Sequence, residues 1–137
     1  MIDKIVENSL DIIKGISTHK INDLTPEELS QYALRLASNK IFLGLELTEL
    51  DYQFNHLKME RKGIWADIFS EAKGTVKDRE LEADKAVQLK VKEELEFDRK
   101  ISILKNLRQD LGDCITTIQT RVSQLKQEWF ERGLQEG

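Results

Sequence analysis

The chain is poor in the residues that build sites and stop helices. It has one cysteine, one proline and two histidines among 137 residues. A lone Cys114 excludes an intramolecular disulfide and any multi-cysteine metal site within one chain. The histidines, His19 and His56, stand in neither Glu-x-x-His nor His-x-x-x-His spacing, so no helical face collects metal ligands. Gly44, Gly63, Gly74 and Gly112 are isolated, which leaves no glycine-rich loop to cradle a phosphate. No apolar run approaches the ~18 residues of a membrane span. The first residues lack the basic and apolar regions of a signal peptide, so a cytoplasmic protein is expected, in a host cytoplasm if the chain is phage-encoded. This inventory points to a protein that is not an enzyme, holds no cofactor and has no membrane partner.

What is abundant is charge. Lys, Arg, Asp and Glu make up 34% of the chain, with a net charge of −4. The signs are mixed, and the apolar residues recur too regularly for disorder. The balance shifts along the chain: residues 1–55 carry 5 basic and 9 acidic groups, residues 56–79 carry 6 and 4, and residues 80–137 carry 10 and 12. The middle segment is therefore the one electropositive region.

The apolar periodicity is helical throughout. Ile2, Ile5, Val6, Leu10, Ile13 and Ile16 form one face of a short N-terminal helix, with a connector ending at residue 24. Thr25-Pro26-Glu27-Glu28 combines a capping threonine, a proline at the first helical position and a glutamate able to close a capping box. From there Leu29, Leu36, Leu43, Leu50, Leu57 and Ile64 step by seven, beside a row of Ala33, Lys40, Leu47, Phe54, Arg61 and Ile68. One helix over about 25–72 would be roughly 70 Å long. Lys73-Gly74-Thr75 supplies a turn, and Thr75 with Asp78 repeats the capping pattern. A second helix over 76–132 carries Phe97, Leu104, Leu111, Ile118 and Leu125, with Ile101, Arg108, Ile115, Val122 and Trp129 as companion row; residues 133–137 form a tail. Heptads in both helices, joined by a short turn, predict an all-α fold: a single domain built as a long antiparallel coiled-coil-like hairpin with a short N-terminal helix. Tyr32, Ile41, Phe42 and Leu45 on the first helix, and Val91, Ile103, Leu107 and Cys114 on the second, lie off the seam. Apolar rows left uncovered predict a homo-oligomer.

The chemistry-bearing segment is 56–65. Lys58, Arg61, Lys62 and Trp65 are spaced three or four apart, hence on one side of the helix, and Lys73, Lys77 and Arg79 follow around the turn. Cations interleaved with an indole suit single-stranded nucleic acid, the cations neutralising phosphates and the ring stacking on bases. A structural reading stands beside this one: the lysines paired with Glu60, Asp67 or acids of the facing helix, and Trp65 buried against it. A second basic band, Arg99, Lys100, Lys105 and Arg108, reads most simply as a solvated face near Glu93, Glu96 and Asp98.

Leu57-Lys58-Met59-Glu60-Arg61 followed by Trp65 resembles a stretch of the phage recombination mediators of the UvsY type. So does the later run of Leu81-Glu82-Ala83-Asp84-Lys85, Leu95-Glu96-Phe97-Asp98, and Ile115 through Arg121-Val122 to Lys126-Gln127-Glu128-Trp129-Phe130. The similarity covers roughly residues 40–130. The family's aromatic pair before a Ser/Thr-Gly turn is absent, Trp65 and Phe69 being the nearest substitutes. The resemblance implies a homo-oligomeric protein that binds single-stranded DNA. It would help load a RecA-like recombinase onto strands covered by a single-strand-binding protein. Lys58 and Arg61 occupy the positions resembling the DNA-contacting basic pair; Lys62, Lys73, Lys77 and Arg79 join them by proximity. The alternative is a non-enzymatic coiled-coil adaptor or assembly chaperone working through protein contacts.

Overall fold

Helix ends leave backbone N–H groups without partners, and both capping signals answer them. Glu28 N donates to Thr25 Oγ1 at 3.2 Å, while Thr25 N reaches Glu28 Oε1 at 3.4 Å. Asp78 N and Thr75 N make the same reciprocal exchange at 3.2 and 3.4 Å. The computed structural model describes residues 2–17 and 20–136, so His19 lies outside the described residues. They form α1 (Ile2–Ser17), a 3₁₀ turn (Lys20–Asp23), α2 (Pro26–Glu71), α3 (Val76–Ala86) and α4 (Gln88–Glu136). The chain is all-α, with no strand among the described residues.

Two of these bounds differ from the sequence expectation. The expected second helix is interrupted at Val87, whose φ of −103° and ψ of 4° leave the helix and whose N–H turns back to Lys85 O. Val87 is buried, so the interruption faces the core. No proline or glycine marks the place. At the other end α4 continues to Glu136, past Gly133, because one exposed glycine costs a helix only about 1 kcal/mol.

The chain packs as two compact units, Met1–Glu46 with Lys105–Gly137, and Leu47–Leu104. In the first, Leu29, Leu36 and Leu43 of α2 are buried, as are Leu107, Leu111 and Ile118 of α4 and Ile12 of α1. Leu107, which the heptads place off the seam, thus belongs to the core. Asn39 of α2 donates to the fully buried Ser9 Oγ of α1 at 3.0 Å and to Asn8 Oδ1 at 3.2 Å, a polar key in an apolar interface. In this unit two cations stand in the heptad rows, Lys40 and Arg108. Arg108 Nε donates to Lys40 O at 3.3 Å. A Cβ at Gly44 would sit 3.3 Å from Arg108 Nε, and one at Gly112 would sit 3.2 Å from Lys40 Nζ. The two glycines are what let long cations cross here, and the pairing shows α2 and α4 running antiparallel.

In the second unit the end of α2, α3 and the start of α4 make a helical hairpin, with Leu47, Leu50, Ala83, Val87, Ile101 and Leu104 buried. Gly74 makes the turn with φ of +116°, and a Cβ there would meet Asp78 Oδ2 at 3.1 Å. Gly74→Ala is therefore expected to cost about 1–3 kcal/mol, the range for a non-glycine residue forced into such backbone. Urea titration should show a lower midpoint with unchanged helicity before the transition; an unchanged midpoint would show that the turn relaxes freely. Arg79 completes the corner: its Nε donates to Phe69 O at 2.9 Å and its guanidinium lies 4.2 Å from the Phe69 ring centroid. A cation at the last carbonyls of α2 is the favoured sign for a helix C-terminus.

Candidate nucleic-acid interface

All seven candidate residues, Lys58, Arg61, Lys62, Trp65, Lys73, Lys77 and Arg79, fall in the second unit. Their environments differ. Arg61 turns inward, its Nε 2.5 Å from Glu94 Oε2, and Glu94 is only 8% exposed. Arg79 is spent on the corner just described. Lys58 Nζ lies 4.1 Å from the centroid of the Phe54 ring, a cation–π contact from one turn earlier. Lys62, Lys73 and Lys77 are exposed and carry no ion pair among the described residues.

Trp65 combines parts of both sequence readings. It is half-buried, stacked on Phe69 at 5.0 Å with planes 9° apart, and its Nε1 donates to Asp84 Oδ1 at 2.9 Å. It also lines an open groove of about 750 Å³. Arg61 and Lys62 of α2 flank it there; Asp84 of α3, Val87 at the break, and Gln88, Val91 and Lys92 of α4 form the rest. This groove, with polar and cationic residues in its lining, lies at the α3–α4 break. Asp84, Val87 and Lys92 were not candidates from sequence. Glu94 was legible in principle, because Val87, Glu94, Ile101 and Arg108 continue a heptad row backwards, and an acid in that row calls for a partner such as Arg61.

Glu60 and Lys90 form an exposed pair at 3.0 Å, with His56 Nδ1 3.2 Å from the same carboxylate. The hydrogen bond from Lys90, then its charge, holds the Glu60 carboxyl below its ordinary pKa, and the same bond raises that of Lys90. His56 is thus part of a surface network. Cys114 is half-buried, and burial, reinforced by Asp110 and Asp113, pushes its thiol above the ordinary cysteine value. That favours the unreactive neutral thiol. No cluster of His, Cys, Asp and Glu able to hold a metal occurs among the described residues, and no helix there is long and apolar enough to cross a membrane.

No protein-family model, no curated protein and no solved structure matches the chain.

Proposed function

We propose that this chain is a non-enzymatic, single-stranded-DNA-binding recombination mediator. It would act as a homo-oligomer in the cytoplasm and help load a RecA-like recombinase onto strands covered by a single-strand-binding protein. The observation that carries the reading is a group of lysines near the groove and the Gly74 turn that have no carboxylate partner among the described residues. Lys62, Lys73, Lys77 and Lys92 are exposed and unpaired among the described residues, whereas Arg61, Arg79 and Lys90 are engaged. An unpaired exposed cation neutralises a phosphate without first giving up a protein partner. Lys58 and Arg61, the basic pair of the UvsY-type resemblance, lie on the same stretch of α2, and Arg61 enters through the groove rather than as a free charge.

Fluorescence anisotropy with a labelled single strand tests the reading. Log affinity should fall with log salt by about 0.7 per phosphate contacted. Replacing Lys62, Lys73 and Lys77 together with glutamine should lower the affinity and reduce that slope by roughly 2, since each removed contact takes its share. Equal binding and equal slope would place the contacts elsewhere.

One observation favours the adaptor reading. In the first unit Leu34, Ile41, Phe42 and Leu45 of α2 are exposed, as are Trp129, Phe130 and Leu134 near the end of α4. Apolar side chains in such number support protein contacts, with further copies of the chain or with another protein. A protein that ignores single-stranded DNA even at low salt would leave this as its working surface.

A further inference from the structure

The groove at the α3–α4 break has features that a row of surface lysines lacks. Its indole is already fixed. Phe69 stacks against Trp65 at 5.0 Å, and Asp84 Oδ1 holds its N–H at 2.9 Å. A ring so held costs little ordering when a flat ligand settles against it. Val87 and Val91 supply apolar wall, and Lys62 and Lys92 bring a cation from each side, α2 and α4. Asp84 engages the indole through one carboxylate oxygen, and the second oxygen has no protein donor among the described residues. A volume of about 750 Å³ is ample for one heteroaromatic ring with its sugar. A cleft with a fixed aromatic, two apolar wall residues, a carboxylate oxygen left open beside the Gln88 amide, and flanking cations has the layout of a nucleotide site.

We propose that this groove seats one unstacked base of a bound single strand, with Asp84 reading the exocyclic amino group of that base and Lys62 and Lys92 holding its flanking phosphates. The inference rests on the DNA-binding reading and adds a base preference to it. A carboxylate accepts from the amino group of cytosine or adenine. Thymine offers its only ring N–H between two carbonyl oxygens, which repel a carboxylate. Oligo(dC) and oligo(dA) should therefore bind more tightly than oligo(dT) of equal length, by about tenfold per seated base. Asp84→Asn keeps an oxygen to accept the Trp65 N–H but turns an amide donor toward the groove, so the preference should move toward thymine.

The chain has two tryptophans, and Trp129 is exposed, so Trp129→Phe leaves Trp65 as sole reporter. In that background, Trp65 fluorescence is titrated with the three homopolymers while anisotropy of the labelled strand reports binding itself. The expected result is a Trp65 response that saturates with binding, tighter for oligo(dC) and oligo(dA), and a preference shifted toward oligo(dT) in Asp84→Asn. Binding by anisotropy with a silent Trp65, or with no base preference in either protein, overturns the base seat and leaves DNA binding standing. Absence of binding by both signals overturns the seat together with the DNA-binding reading.

Discussion

Leu43→Asp is expected to abolish the cooperative unfolding of the first unit. Leu43 is 0% exposed, between Leu36 and Leu50 in the row that faces α4. A carboxylate there would lose its water, a cost of several kcal/mol that the Arg108 guanidinium beside Gly44 would offset only in part. A domain holds only ~5–15 kcal/mol of net stability, so one such residue exhausts most of it. Thermal melts followed by circular dichroism should show a broad, weakened transition. Leu43→Ala gives the graded control, a sharp transition shifted by the about 2–5 kcal/mol of a buried leucine truncation. Ser38→Asp gives the positional one. Its parent side chain is exposed and lies outside the apolar patch, and the melt should barely move. A Leu43→Asp protein that melts like its parent would mean that the α2 face is misassigned.

The second large effect concerns Arg61 and Glu94. Arg61→Ala removes the only ion-pair partner, among the described residues, of a nearly buried carboxylate. Because the Arg61 side chain keeps 29% of its exposure, water relieves part of the loss, and about 1–3 kcal/mol is expected rather than the full cost of a sealed pair. Replacing both residues, as Arg61→Met with Glu94→Leu, should return the stability to near the parent value, since apolar isosteres of a buried pair are often neutral or stabilising. Urea midpoints of the parent, the Arg61→Ala protein and the double variant read this directly. The double variant also separates folding from binding. Its salt slope for single-stranded DNA should match the parent's, because Glu94 already neutralises Arg61. A slope reduced in a fully folded double variant would show instead that Arg61 leaves Glu94 to meet a phosphate.

The helices were legible in the sequence because period and caps agreed. Leu29, Leu36, Leu43 and Leu50 are buried as their spacing of seven requires, and Thr25 and Thr75 both close capping boxes. Leu57 and Ile64, in the same row, are only half-buried. The break at Val87 was invisible, since no proline or glycine marks it. The groove lies at that break, so Asp84 and Lys92 could not be read as its walls. For the candidate cations, spacing gave the face of the helix but not the company. Whether Lys62 is free and Arg61 engaged depends on which residues of another helix come opposite, and heptads repeat too evenly to say. The informative departures were charges inside apolar rows. Arg61 and Glu94, of opposite sign, answer each other.

Lys40 and Arg108 share a sign and need another solution, and Gly44 and Gly112 supply it. Leucines repeating every seven residues would nest equally well after one helix slid a heptad along the other. The notches at Gly44 and Gly112 remove that degeneracy. A slip of one heptad would bring Lys40 against Lys105 or Gln119 in place of Gly112, and Arg108 against Ala37 or Asp51 in place of Gly44. Each of those residues carries a Cβ where the aligned pairing leaves only tight space for a long cation. The glycines thus act as the teeth of a gauge, favouring the observed alignment of the two helices over one slid by a heptad.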